Sequence, residues 1–515
     1  MSAETVRVNH RDAGFSARVA TLVTGRYCSR IGAQHAELWG PAATPEAAVR
    51  LGWTAPPSDM APLIAEVSVL REELSSAGVT RVVLCGMGGS SLAPEVMARA
   101  HKVELGVLDS THPDHVRAVV DRDLADTAVV VSSKSGTTVE TATAKASFEQ
   151  AFRNQGIEPA QRIIIVTDPG SPLHLESEKA GYRVFLSDPH VGGRFSALTA
   201  FGLVPATLAG VNTGEILEHA QSMHERMAHD LEDNPAVLLA AALSSPERDM
   251  MCLVEEESLP GFGDWVEQLV AESTGKDGKG VLPVVVTSTG PDAALADVVT
   301  VSAREDADAS VSASLGEGFV LWEWVTALVG VLIGVNPFDQ PDVESAKVAA
   351  RALLDELPTR PEPLSAEGVD IWLSGATGEA DSLEDAVAKV CGQVSDSGYL
   401  ALQLYVNRLD TEVGRLRSEV ASRLERPVTL GYGPRFLHST GQFHKGGPDD
   451  GVFVQIEWPA EQDMPIPGYP FSFQQLIDSQ AWGDRSVLIE RGRPVLTLRV
   501  TDEAGFQSVL SALRG

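Results

Sequence analysis

Short β-branched runs alternate with helical stretches through the first half of the chain, and this rhythm narrows the folds it can reach. "TRVVLCG" (80–86), "VELGVLDS" (103–110), "TAVVVSS" (127–133), "RIIIVTD" (162–168) and "RVFLSD" (183–188) read as strands. "LAPEVMARA", "TVETATAKASFEQAF" and "SPLHLESEKAG" read as the helices between them. Buried strands joined by helical crossovers produce a parallel sheet covered on both faces. The pattern returns further on, with "DMMCLVEE", "VLPVVVTST" and "DVVTVS" as strands around the helix "DWVEQLVAEST". The predicted class is α/β, with two α-β-α sandwiches.

The same reading divides the chain. Residues 1–75 are predicted as a mainly helical segment, 76–230 as the first α-β-α unit and 231–357 as the second. The proline-rich "PTRPEPLSAEG" marks a linker, and 358–515 form an α/β region that completes the second unit. At 515 residues the chain needs more than one core.

With 71 acidic and 40 basic residues the net charge is −31, which disfavours nucleic acid and anionic membranes as partners. A small anion remains compatible, because clustered backbone amides and one or two cations can overrule the global field. Four isolated cysteines suit a reducing compartment, and no secretory leader pattern opens the chain, so a cytoplasmic location is expected. The apolar run from Phe319 to Val335 is interrupted by Glu323 and reads as a buried helix rather than a span.

Four stretches carry candidate chemistry. "CGMGGSS" (85–91), with Gly89 and Ser90, and "SSKSGTT" (132–138), with Ser133, Lys134, Ser135 and Thr138, both follow strands and open helices. Glycine turns there aim backbone N–H groups at one point, which suits a phosphate monoester. Neither completes a nucleotide-loop pattern. "VGGRFSALTAFGL" places Gly193 and Arg194 where a guanidinium could meet a developing oxyanion or cap a turn. "QLVAESTGKDGKG" ends an amphipathic helix with Gln268 and Glu272, and such a carboxylate could act as a general base or stay a surface group.

Together "GMGGSS", "SSKSGTTVET", "GGRFS", "ESTGKDGKG" and "NPFDQPDVESAK" resemble, in order, the segments of the phosphoglucose isomerase family, whose two sugar-isomerase (SIS) domains bind phosphosugars. "GYGPRFLHSTGQFHKGG" is most similar to the isomerase half of actinobacterial transaldolase–phosphoglucose isomerase fusions, here expected free-standing. The resemblance implies interconversion of glucose 6-phosphate and fructose 6-phosphate through ring opening and a cis-enediol, with no metal or redox cofactor. It implies Ser133, Lys134, Ser135, Thr138 and Ser90 on the phosphate, Arg194 on the enediolate and Glu272 as the proton-transferring base. Gln268, Gln340 and Lys347 would line the sugar, the lysine assisting ring opening. A homodimer with shared sites is also implied.

The family's ring-opening histidine normally follows the glutamate closely, in wording such as "DLHSLGQ". Here that stretch has none, and "LHSTGQ" occurs only after Lys347. His438 is therefore expected to open the ring, with His444 and Lys445 as further sugar contacts or as incidental members of a turn. Two other readings remain: dual specificity for glucose and mannose phosphates, and a phosphosugar sensor without turnover.

Overall fold

The computed structural model of the chain describes residues 5–288, 290, 295–342, 354, 360–375, 378–409 and 413–515. Within these residues three sheets are present.

The first sheet is wholly parallel. Its spatial order is Gly106–Leu108, Arg81–Cys85, Thr127–Ser132, Ile163–Thr167 and Arg183–Leu186. The central strand Thr127–Ser132 is buried at every position, which explains its unbroken apolar run. One face packs against the helices Pro113–Val120 and Val139–Asn154, and the other against Ala61–Ser76 and Ala200–Ala209. All five strands therefore point their carboxyl ends to one edge, where ligands bind in such sheets.

The second sheet runs Val6–Val8, Ala309–Val311, Val298–Ser302, Met250–Val254 and Leu282–Val286. Its inner pairs are parallel, while Val6–Val8 pairs antiparallel with Ala309–Val311. The amino-terminal segment, expected to be mainly helical, thus begins by lending this sheet an edge strand. Beside it lies the helix Leu315–Ile333, started by a Ser314–Glu317 capping box. That helix is long and apolar enough to cross a membrane, yet 78% of its most apolar window is buried inside the protein.

The carboxy-terminal strands come from the region expected to complete the second unit, and they do not join the second sheet. They form a third, in the order Leu364–Ala366, Val369–Ser374, Val495–Val500, Gly451–Glu457, Tyr399–Tyr405 and Val428–Tyr432. The last four are parallel, and Leu402, Val454 and Leu498 belong to a core of their own. The physical reason is two-sided burial: a parallel sheet needs helices on both faces, and this region supplies them itself. It docks on the second sheet through a shared cluster that includes Met250, Leu282, Tyr399, Phe453 and Val495. The four cysteines are buried and unbridged.

Candidate functional site

The turn after Arg81–Cys85 contains a short 3₁₀ segment, Gly88–Ser90, before the helix Leu92–Ala100. Gly88 has φ +52°, and a side chain there would lie 2.6 Å from Gln268 Nε2 and 2.8 Å from the His438 carbonyl oxygen. A Cβ on Gly89 would sit 2.1 Å from the Gly193 carbonyl oxygen. The two glycines therefore allow three segments remote in sequence to meet one turn of backbone. Gly89, Gly193, Gln268 and His438 are thus brought together.

Arg194 follows directly, in the 3₁₀ turn Gly193–Phe195, and only 4% of it is exposed. Its Nε donates to Ser273 Oγ at 2.7 Å and its Nη2 to the Pro337 carbonyl at 2.6 Å. Its Nη1 donates to Gln340 Oε1 at 2.8 Å and lies 3.5 Å from Glu272 Oε1. Glu272 ends the buried face of the helix Phe262–Thr274, where Gln268 Nε2, one turn earlier, donates to its Oε2 at 3.2 Å. A carboxylate and a guanidinium thus share a buried cleft, and such a pair keeps its electrostatic strength because water is excluded.

Lys276 adds a cation that the sequence reading did not single out. Its Nζ donates to the Asn336 carbonyl at 2.7 Å and to Asp339 Oδ1 at 2.8 Å. Burial, with Arg194 close by, pushes its pKa down to about 8. The only signal in "STGKDGKG" was two lysines in one loop, and burial separates them: Lys276 is 3% exposed, whereas Lys279 is exposed.

His438 closes the 3₁₀ turn Arg435–His438. Its carbonyl accepts from Gln268 Nε2 at 2.6 Å, which brings the residue within one side chain of Glu272. Its ring Nε2 lies 3.1 Å from Glu140 Oε1. Glu140 also accepts from Gln480 Nε2 at 2.8 Å, and Gln480 Oε1 accepts from Thr111 Oγ1 at 2.6 Å. A carboxylate held in this way fixes the imidazole's orientation and tautomer. Glu140 stands in the quoted "TVET", but nothing local tells that its partner lies 298 residues away. Arg435, at the other end of the turn, pairs with Glu95 and Asp109 and so ties the His438 turn to the first unit.

His444 is not at this site. It is 2% exposed, its Nδ1 lies 2.9 Å from the Tyr399 hydroxyl, and its ring stacks on Tyr399 and meets Phe453 edge-on. Burial, with Lys445 and Arg493 nearby, holds its pKa well below the usual histidine value. The expected sugar contact fails because the helix Gly441–Gly446 turns this face into the core shared by the second and third sheets. Lys445 is buried as well, paired with Asp484.

In the loop Ser133–Thr138, Ser133 Oγ accepts from the Gly136 N–H at 3.2 Å and lies 3.4 Å from Thr138 Oγ1. Ser135 Oγ and Thr137 Oγ1 are 2.9 Å apart. These hydroxyls gather at the start of the helix Val139–Asn154, the favourable end for an anion. Lys134, however, bridges to Asp168 and to the Pro189 carbonyl at 3.2 Å, so in this structure its ammonium secures the loop to its neighbours. Lys347 lies outside the described residues.

Comparison with known proteins decides the family. A probable glucose-6-phosphate isomerase from Haloarcula marismortui is 31% identical over 343 residues, which is 54% of this chain and 79% of that protein. The chain belongs to the phosphoglucose isomerase family. The family pattern "Phosphoglucose isomerase" matches residues 71–291. A glucose-6-phosphate isomerase from Acaryochloris marina is 39% identical over 213 residues, covering 38% of this chain and 40% of that protein. The alignment to that relative therefore spans less than half of its length. The crystal structure of a glucose-6-phosphate isomerase from Chlamydia trachomatis superposes with a TM-score of 0.55 at 20% identity, covering 70% of this chain and 90% of that one, and shares its α/β fold. The matched stretch 71–291 holds the two glycine-rich turns, Arg194, Gln268 and Glu272, and ends before Gln340 and His438.

Proposed function

We propose that this protein is an aldose–ketose isomerase that interconverts glucose 6-phosphate and fructose 6-phosphate. Family membership supports the reaction, and one observation of geometry carries the mechanism: Glu272 and Arg194 lie 3.5 Å apart in a buried cleft that Gln268 and the His438 turn also reach.

The proton next to a sugar carbonyl is weakly acidic, so its removal needs a positioned base and a cation for the charge that develops. Glu272 takes the proton from C2 and returns it to C1, which a cis-enediol allows one carboxylate to do. Arg194 stabilises the enediolate oxygen, with Lys276 as a nearby second cation. His438 moves the proton that opens the sugar ring: with Nε2 held by Glu140, Nδ1 is the nitrogen that exchanges it. Ser133, Ser135, Thr138 and the turn of Gly89 and Ser90 hold the phosphate, a remote anchor that fixes the reacting carbons. Lys134 holds that loop in shape, and Lys347 keeps the role in ring opening that the family resemblance implies. A phosphosugar sensor has no need of a buried base beside a buried guanidinium.

The His438 carbonyl and Glu272 are both bonded by Gln268 of the same chain, which supports a site in which each subunit uses its own histidine, whether or not the protein pairs as a cytoplasmic homodimer. A coupled assay on glucose 6-phosphate, fructose 6-phosphate and mannose 6-phosphate tests the reaction. Turnover of none of them would remove the isomerase reading. Mixing inactive Glu272→Gln with inactive His438→Ala tests the self-contained site. The mixture stays inactive if each chain uses its own histidine, and regains activity if sites are shared.

A further inference from the structure

A cavity of about 180 Å³ lies where the amino-terminal segment, the edge of the first sheet and the helix Leu315–Ile333 meet. Trp53, Phe195, Leu198 and Val320 form apolar walls, and Glu323 and His224 face it from two helices. Glu323 is 3% exposed and one of its carboxyl oxygens is buried without a hydrogen-bond partner. The Trp53 indole N–H is also buried without one. Burial raises the Glu323 pKa well above the usual carboxylate range, which favours the protonated carboxyl.

The surroundings make this residue costly. Its chain neighbours Trp322 and Trp324 are fully buried, and apart from Glu317 in the capping box and Thr326 the rest of the helix carries no polar side chain. An unpaired polar group in such a place lowers stability, and side chains that break a local rule of this kind concentrate where a protein uses them. The other polar groups of the wall point to an uncharged occupant. Burial lowers the His224 pKa and keeps its ring neutral, Ser187 and Thr199 bond to each other, and Asp188 at the rim is occupied by His190. A protonated carboxyl offers one donor and one acceptor, and the indole N–H a second donor, which together match a hydroxyl or amide. A cavity of roughly 150 Å³ holds one benzene ring, so this one admits a single ring with a small substituent.

We propose that this cavity binds an uncharged single-ring molecule carrying one hydroxyl or amide, with Glu323 and Trp53 holding the polar group and the aromatic walls the ring. Trp53 stacks on Phe195 with ring centroids 5.3 Å apart, and Phe195 adjoins Arg194, so an occupant touches the support of the guanidinium in the cleft. The inference stands independently of the catalytic assignment, because its test reads binding alone.

Phenol and toluene, which differ by the hydroxyl, are titrated calorimetrically into the full chain at pH 7, alongside Glu323→Leu and the cavity-filling Leu198→Trp. The expected result is one saturable phenol site, preferred over toluene by about tenfold, the worth of one hydrogen bond. Glu323→Leu should erase that preference and melt at or above the wild-type temperature, and Leu198→Trp should abolish phenol binding. The proposal is overturned by no saturable phenol binding at millimolar concentration, or by an unchanged preference in Glu323→Leu. A lower melting temperature for Glu323→Leu overturns it too, because the carboxyl would then be structural.

Discussion

The two ends of the segment from Phe436 to Gly447 carry a histidine each, and the fold treats them oppositely. His438 sits at the end of a 3₁₀ turn, half-buried, with its carbonyl on Gln268 and its ring against Glu140. His444 is six residues on, inside a short helix and sealed between Tyr399 and Phe453. One ring is held by a carboxylate at the rim of a cleft, where a proton can be exchanged. The other is kept neutral by burial and serves packing. The chemistry of a histidine is thus set by what surrounds it, and neighbouring letters do not reveal that.

Substitutions can break this contrast. The cleft itself should show the largest effect: Glu272→Gln keeps the shape and hydrogen-bond partners but removes the base, and turnover is expected to fall by about 10³–10⁴-fold. Steady-state kinetics and loss of solvent exchange at C2 check this. His438→Ala should lower turnover of the closed sugar by about 10²–10³-fold, while exchange on substrate already in open-chain form falls far less. Equal losses on both forms would assign His438 to another step.

A smaller effect is expected from Lys276. Its ammonium is charged below its depressed pKa of about 8 and neutral above it, so activity should decline as pH rises through that value. Lys276→Arg should move the alkaline limb upward, and Lys276→Met should cost about tenfold in kcat/KM. A limb unmoved by Lys276→Arg would show that another group titrates there.

The smallest effect on turnover belongs to His444, where His444→Gln can still bond the Tyr399 hydroxyl; activity should stay within about twofold of wild type. Its mark is on stability. The folded-state pKa of His444 is depressed, so the unfolded chain takes up the extra proton as pH falls below about 6.5, and the native state loses stability in that direction. Urea unfolding between pH 7.5 and 5 should show a shallower decline for His444→Gln than for the wild type. A turnover loss as deep as that of His438→Ala would erase the contrast between the two rings.

What could be read from the sequence is what short stretches encode by themselves. Gly88 and Gly89 make a turn that only glycines permit, and the strand before it and the helix after it mark the carboxyl edge of a parallel sheet. Arg194 and Glu272 stood out for the same reason, each beside a glycine-rich turn, but the letters left open whether either was more than a turn cap or a surface group. The tertiary structure decided every pairing that spans the chain. It joined His438 to Glu140 across 298 residues, Arg194 to Ser273 across 79 and Gln480 to Thr111 across 369. It also turned Lys134 to Asp168, buried Lys276 beside Arg194 and gave the last third of the chain a sheet of its own. Turn chemistry depends on the φ and ψ of a few consecutive residues, whereas the partner of a buried charge depends on which surfaces the whole chain brings together.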